Sequence, residues 1–206
     1  MNPETINEKA TPRGIALFLL LFAIGACYLL SLAYFHGHSI NFVQKNGIAA
    51  ASKAVEDAHP ALPITYTFDA KSRWTQGLAY GWNPPESWGG IWGSGSEAAI
   101  VLPLLSNDVA SPLCFTVQVG NIGKRRHWNM LVTIDGTPLG GNSHFSGAGP
   151  FEVHGEVKIP TGQPIVIRFS GPSPVIPRAV TNYSLDSRLL SFSLLGITVA
   201  KQCERP

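Results

Sequence analysis

Charge is what this chain has least of. Only 14% of its 206 residues are Asp, Glu, Lys or Arg, against about 25% in an ordinary soluble domain. Fifteen basic residues against thirteen acidic ones leave a formal charge of +2, and that balance excludes the broad basic stripe of a nucleic-acid surface. Cysteine is scarce too. The three present, Cys27, Cys114 and Cys203, form neither a CxxC pair nor a Cys/His zinc spacing. GxSxG, HExxH and a dinucleotide fingerprint following a strand are all absent. Gly120-Asn121-Ile122-Gly123-Lys124 looks like a phosphate loop only superficially, because the spacing is short and Arg125 follows the lysine. No fixed-period repeat occurs, which argues against propellers and solenoids. The chain is therefore read as non-enzymatic, with no catalytic residue, cofactor or metal.

What replaces charge near the N-terminus is an apolar run. Residues 14–35, GIALFLLLFAIGACYLLSLAYF, contain no charged residue and no proline, and as a helix they reach about 33 Å, enough for a hydrocarbon core of about 30 Å. Lys9 and Arg13 precede the run, and the next basic residue is Lys45. This asymmetry predicts a cytoplasmic tail over 1–13, a transmembrane signal anchor over 14–35 in the cytoplasmic (inner) membrane, and an extracytoplasmic, periplasmic remainder. Two alternatives stay open. A cleaved signal peptide has a shorter apolar core and a small-residue site, and Ile24-Gly25-Ala26-Cys27 resembles a lipoprotein box, although mostly apolar residues follow it.

Residues 36–63 read as a linker with a short helix: good helix formers from Gly47 to Ala58 meet His59-Pro60, a stop signal. His36 and His38 without a third ligand read as an interfacial polar cap. Outside the apolar run, Cys114 and Cys203 are the only pair that an oxidising compartment would allow to join.

From Ile64 the periodicity becomes two. Phe151, Val153, Val157 and Ile159 alternate with Glu152, His154, Glu156 and Lys158; Trp128, Met130, Val132 and Ile134 repeat the device before Asp135-Gly136, a signature of a two-residue hairpin. Leu113–Val119 and Ile165–Phe169 show further inward faces, and strands are also expected at Ile64–Phe68, Glu97–Leu104 and Leu189–Val199. Eight or nine short strands between Gly/Pro/Asn/Ser turns predict a mainly β fold over 64–203. Its expected form is an antiparallel, jelly-roll-like β-sandwich preceded by one N-terminal transmembrane α-helix.

One stretch does not fit this alternation. Gly81 to Gly95 holds three of the five tryptophans, with glycines for close backbone approach and prolines that fix φ. An indole can stack on a sugar ring while neighbouring polar groups bind its hydroxyls, which makes Trp88, Glu86, Asn83, Trp82 and Trp92 the candidate ligand residues. The competing reading has Trp82 and Trp92 bracing the turn, Trp88 exposed, and Glu86 capping the turn or paired with Arg73 or Arg188. Glycoside hydrolysis needs two facing carboxylates, for which Glu86 and Asp186 are the one pair to consider. Lys124-Arg125-Arg126 is the densest basic cluster and reads as a solvated loop, within reach of lipid headgroups or an anionic polysaccharide.

The motif Gly81-Trp82-x-x-Pro85-Glu86-x-Trp88-Gly89-x-x-Trp92-x-x-Gly95 resembles the opening of a bacterial envelope β-sandwich domain. That domain is often appended to membrane glycosyltransferases and phosphoglycerol-transferase-like proteins of surface-polysaccharide assembly. Ser184 to Phe192 is similar to its closing segment, in which Asp-x-Arg precedes the last strand; here Leu190 stands where that pattern has glycine. The resemblance covers about residues 64–200 and implies an accessory module of envelope carbohydrate metabolism. The expected function is non-catalytic recognition of an envelope glycan or polysaccharide intermediate. The alternative is a scaffold subunit of a membrane-embedded polysaccharide enzyme, with Gly25, Ala26, Ser31 and Ala33 offering small-residue packing surfaces.

Overall fold

The computed structural model describes residues 12–103, 112–121, 127–147, 149–159, 163–180 and 185–203. The basic residues 124–126, the acid at 108 and the start of the closing segment at 184 lie outside these ranges, as do residues 1–11. The chain divides into two units, one ending at Val43 and the other beginning at Gln44.

The first unit is helical. Helix α1 runs from Pro12 to Val55, and within it Ala16–Tyr34 has a mean hydropathy of 2.4 with no part of it buried. A helix that is apolar all round and exposed all round suits lipid far better than water. It is one N-terminal apolar helix compatible with a single-pass membrane anchor or a signal sequence. Ser31 returns its hydroxyl to the Cys27 carbonyl at 2.8 Å, so its polar group is satisfied within the helix.

The helix does not stop at residue 35. It continues to Val55, within the segment expected to be a linker over 36–63, and its final turns are most of the short helix read at 47–58. Those turns belong to the second unit, where Ile48, Ala51 and Val55 pack on Ala79, Val101 and Val166. Gly47 permits the approach: a Cβ there would lie 2.5 Å from the Ala79 carbonyl oxygen. Burial of this stripe offsets the roughly 1 kcal/mol that a mid-helix glycine costs relative to alanine.

The rest of the second unit is a two-sheet sandwich of ten strands among the described residues. They are β1 (Ile64–Tyr66), β2 (Leu78–Tyr80), β3 (Ile91–Trp92), β4 (Glu97–Leu102), β5 (Leu113–Asn121), β6 (His127–Ile134), β7 (Thr137–Ser146), β8 (Phe151–Val157), β9 (Ile165–Ser170) and β10 (Phe192–Ala200). The first sheet is ordered β1-β10-β5-β8, with β3 also paired to β10; the second is ordered β2-β4-β9-β6-β7. All pairings are antiparallel. Counting from β3 as the first strand, the sheets read 1-8-3-6 and 2-7-4-5, the order produced by the two Greek keys of a jelly roll. The strands β1 and β2 extend its edges.

The predicted alternation places the core. Phe115, Val117, Val119, Leu194, Ile197 and Val199 from the first sheet meet Ile100, Met130, Val132, Ile134, Ile167 and Phe169 from the second, all essentially inaccessible to solvent. The hairpin forms as its residues dictate: Ile134 pairs with Thr137 across Asp135 and Gly136, whose φ values of 47° and 84° give the primed turn that matches strand twist. Cys114 and Cys203 are joined in a disulfide, with Cα atoms 5.1 Å apart.

Candidate functional site

The tryptophan stretch turns the chain across the open end of the first sheet. Trp82 pairs with Gly93, and Ile91-Trp92 adds to β10 beside Ser193 and Leu194. Because Ile91 points into the core, alternation sends Trp92 to the outer face of that sheet. Trp82 lies toward the core instead: its ring meets Phe169 and Phe192 edge-on at 5.5 and 5.6 Å, and its Nε1 donates to the Ala99 carbonyl at 2.8 Å. It is a brace, with its one polar atom satisfied.

Trp88 is different. It is 44% exposed, its ring centroid is 5.6 Å from that of Trp92, and its ring edge covers Gly90, where a Cβ would come within 2.5 Å of the indole. Its Nε1 donates to Glu86 Oε2 at 3.0 Å. The indole is therefore held at its nitrogen, at one edge and against a second indole.

Glu86 is in turn held by Arg188. Nη1 of the arginine donates to Glu86 Oε1 at 2.7 Å, while Nη2 and Nε grip Asp186 at 2.6, 3.0 and 3.2 Å. The Arg188 backbone N–H adds a bond to Asp186 Oδ1 at 2.9 Å. These contacts hold the Asp186 carboxyl down at about 2 and push Arg188 further above its ordinary value, through hydrogen bonds to Asp186 first and Glu86 second. Both candidate carboxylates thus lie on one guanidinium, and Arg188 occupies the space between them. Asn83 is also committed, its amide donating to the Leu189 carbonyl at 3.1 Å and its N–H to the Trp92 carbonyl at 2.8 Å. Of the five residues singled out by composition, the structure gathers Trp88, Glu86, Trp92 and Asn83 around the 186–189 segment and turns Trp82 away.

No known family matches the chain, and no curated protein does. Among solved structures, remote matches are found. They include the EclA C-terminal domain, described as a sugar-binding protein (16% identity, 51% of this chain and 66% of that one, TM-score 0.35). A GH26-CBM35 β-(1,4)-mannanase from Podospora anserina gives 14% identity over 70% of this chain and 28% of that one, with a TM-score of 0.39. The CBM36-1 domain of a xylanase from the hindgut metagenome of Trinervitermes trinervoides gives 13% identity, 68% and 88% coverage, and a TM-score of 0.34. Each likeness is remote. The chain spans about two thirds of the first of these proteins and under a third of the second.

A second feature was not singled out in the sequence. The outer face of the first sheet carries a groove of about 750 Å³, whose lining includes Thr116, Gln118, Glu152, His154 and Thr198. Strand register explains the row: Thr65 pairs with Thr198, Thr198 with Thr116, and Thr116 with His154, across four strands. Gln118 Nε2 donates to Glu152 Oε1 at 2.9 Å, and the Thr65 and Thr198 hydroxyls are 2.9 Å apart. Lys201, Gln202 and the disulfide border one end. The available signal was the polar half of each period-two strand, which an inward-looking search for core residues discards. Among the described residues no group of three or more His, Cys, Asp or Glu side chains could hold a metal.

Proposed function

We propose that this chain is a membrane-anchored, extracytoplasmic accessory protein whose β-sandwich recognises an envelope glycan without catalysis. Trp88 carries the reading. An exposed indole that is already immobile presents an apolar face at little cost in conformational entropy, which is what stacking on a pyranose requires. The anchor reading is supported by the exposed apolar segment Ala16–Tyr34. The non-catalytic reading is supported by Arg188 between the two carboxylates, because a general acid must hold a proton near neutrality and Asp186 is shifted the other way.

The test is an array of bacterial surface polysaccharides probed with the full-length protein in detergent and with Trp88→Ala. Binding that falls about tenfold in the variant, equivalent to one favourable aromatic contact, supports the reading. A wild-type protein that binds no glycan refutes it. A second reading, a scaffold subunit of a membrane-embedded polysaccharide enzyme, is favoured by the commitment of Glu86 and Asn83 to internal bonds, which leaves the Trp88 surface mainly apolar. Purification of the full-length protein in mild detergent separates the two: a stoichiometric polytopic partner supports the scaffold, and recovery of the protein alone counts against it.

A further inference from the structure

Trp88 and the polar groove share one face of one sheet. The outward residues of β5 are Cys114, Thr116, Gln118 and Gly120, alternating with the core residues Phe115, Val117 and Val119. Gly120 pairs with Ser193, and Ser193 with Trp92, so Trp92 stands two residues beyond Gln118 along the strands and two strands across, on β3, past the end of the groove. From the Trp92 row to the disulfide is six residues of β5, about 20 Å at the rise of a strand. Along this line Ser193, Gly120 and Gly196 leave the surface low near the indoles, and Gln118, Thr198 and Thr116 follow toward the disulfide. Taller polar groups border it on β8, where Glu152 and His154 are exposed.

We infer that the ligand is an extended oligosaccharide segment laid along the outer face of the first sheet, stacked on Trp88 and Trp92 at one end and hydrogen-bonded in the groove at the other. This rests on the glycan reading above and assigns its substrate class, a chain of several sugars in place of a single terminal sugar. The chemistry of the groove fits. Threonine hydroxyls, an amide, an imidazole and a carboxylate supply donors and acceptors in mixture, as a row of sugar hydroxyls demands. Both signs of charge are present, Glu152 and Lys201, which suits a neutral or weakly charged chain better than a polyanion.

Full-length protein in detergent is titrated with a hydrolysis ladder, monosaccharide to octasaccharide, of each polysaccharide that scores on the array. Affinity should climb with length beyond the disaccharide and then level off. Thr116→Arg, which fills the groove, and separately His154→Ala, a truncation at an exposed site, should each weaken the long oligosaccharide about tenfold, the loss of one or two hydrogen bonds, and leave the monosaccharide unchanged. Trp88→Ala should weaken every length. If both groove variants retain wild-type circular dichroism and bind every length as wild type does, the extended site is overturned while the Trp88 reading stands. Affinity independent of length overturns it likewise. If no ladder member and no parent polysaccharide binds, the glycan reading itself has failed.

Discussion

Replacing Arg188 by methionine tests whether the tryptophan turn is held by its ion network. The substitution keeps the aliphatic stem and removes the guanidinium, leaving Glu86 and Asp186 as two carboxylates without their shared cation. Charge-assisted hydrogen bonds contribute about 1.5–3 kcal/mol each when sheltered, whereas exposed pairs contribute about 0.2–1 kcal/mol. The Arg188, Glu86 and Asp186 side chains retain 39%, 30% and 26% exposure, so solvent screening brings the whole network to about 2–3 kcal/mol. For a chain of this size that corresponds to a fall of about 5–10 °C in Tm, read by circular dichroism at pH 7. The pH dependence follows from Asp186, whose carboxyl is lowered in the folded state from 3.8 to about 2. A group lowered on folding stabilises above its unfolded value and loses that contribution as pH falls through its folded value. The gap between wild type and Arg188→Met should therefore be full above pH 4 and narrow toward pH 2. Tryptophan fluorescence supplies a second readout, since Trp88 is tethered through Glu86 and its emission should shift to the red when the tether loosens. A variant that melts within about 1 °C of wild type at pH 7, well below the shift expected for a network of this size, would refute the reasoning.

Three further outcomes follow from other parts of the molecule. Cys203→Ser opens a loop of 89 residues in sequence separation, and the chain-entropy argument gives a loss of about 4–5 kcal/mol, measurable by chemical denaturation under non-reducing conditions. Tyr66→Phe should leave the unfolding free energy from chemical denaturation unchanged or raise it by up to about 1–2 kcal/mol, because its hydroxyl is buried without a partner among the described residues and desolvation already pushes its ionisation far up. Gly47→Leu should lower Tm by several degrees, about 2 kcal/mol of overpacking, with unchanged membrane association in fractionation, because the added side chain meets the Ala79 backbone.

The jelly roll was legible because alternation survives in β5, β6, β8 and β9, each with one face in the core and one toward solvent. It was less legible where that condition fails. Strand β4 is expected over Glu97–Leu104 and is found at Glu97–Leu102, but it is buried over Ala98–Leu102, with Ala98 and Ile100 in the inter-sheet core and Val101 under the end of α1; a continuous apolar run carries no period to show which residue meets which layer. The helix reads in sequence as an anchor ending at residue 35 and a separate short helix from Gly47, whereas it runs to Val55; its last turns are fixed by packing on Ala79, Val101 and Val166, which local propensity does not show. At the candidate site, composition identified the indoles but not their directions. Those depend on whether Ile91 or Trp92 faces inward, and a two-residue strand has too few positions to show a pattern. Arg188 as the partner of Glu86 was one of two arginines considered, and only the fold distinguishes residues about a hundred positions apart in the chain.

The disulfide has a consequence for proteolysis. Its two ends, Cys114 in β5 and Cys203 after β10, enclose six of the ten strands and every loop between them in a single covalent ring. One cut anywhere in that ring releases nothing: the two new ends stay attached to the same molecule, and the strands on either side keep their partners. A single cut in those loops is thereby converted from loss of a fragment into a nick.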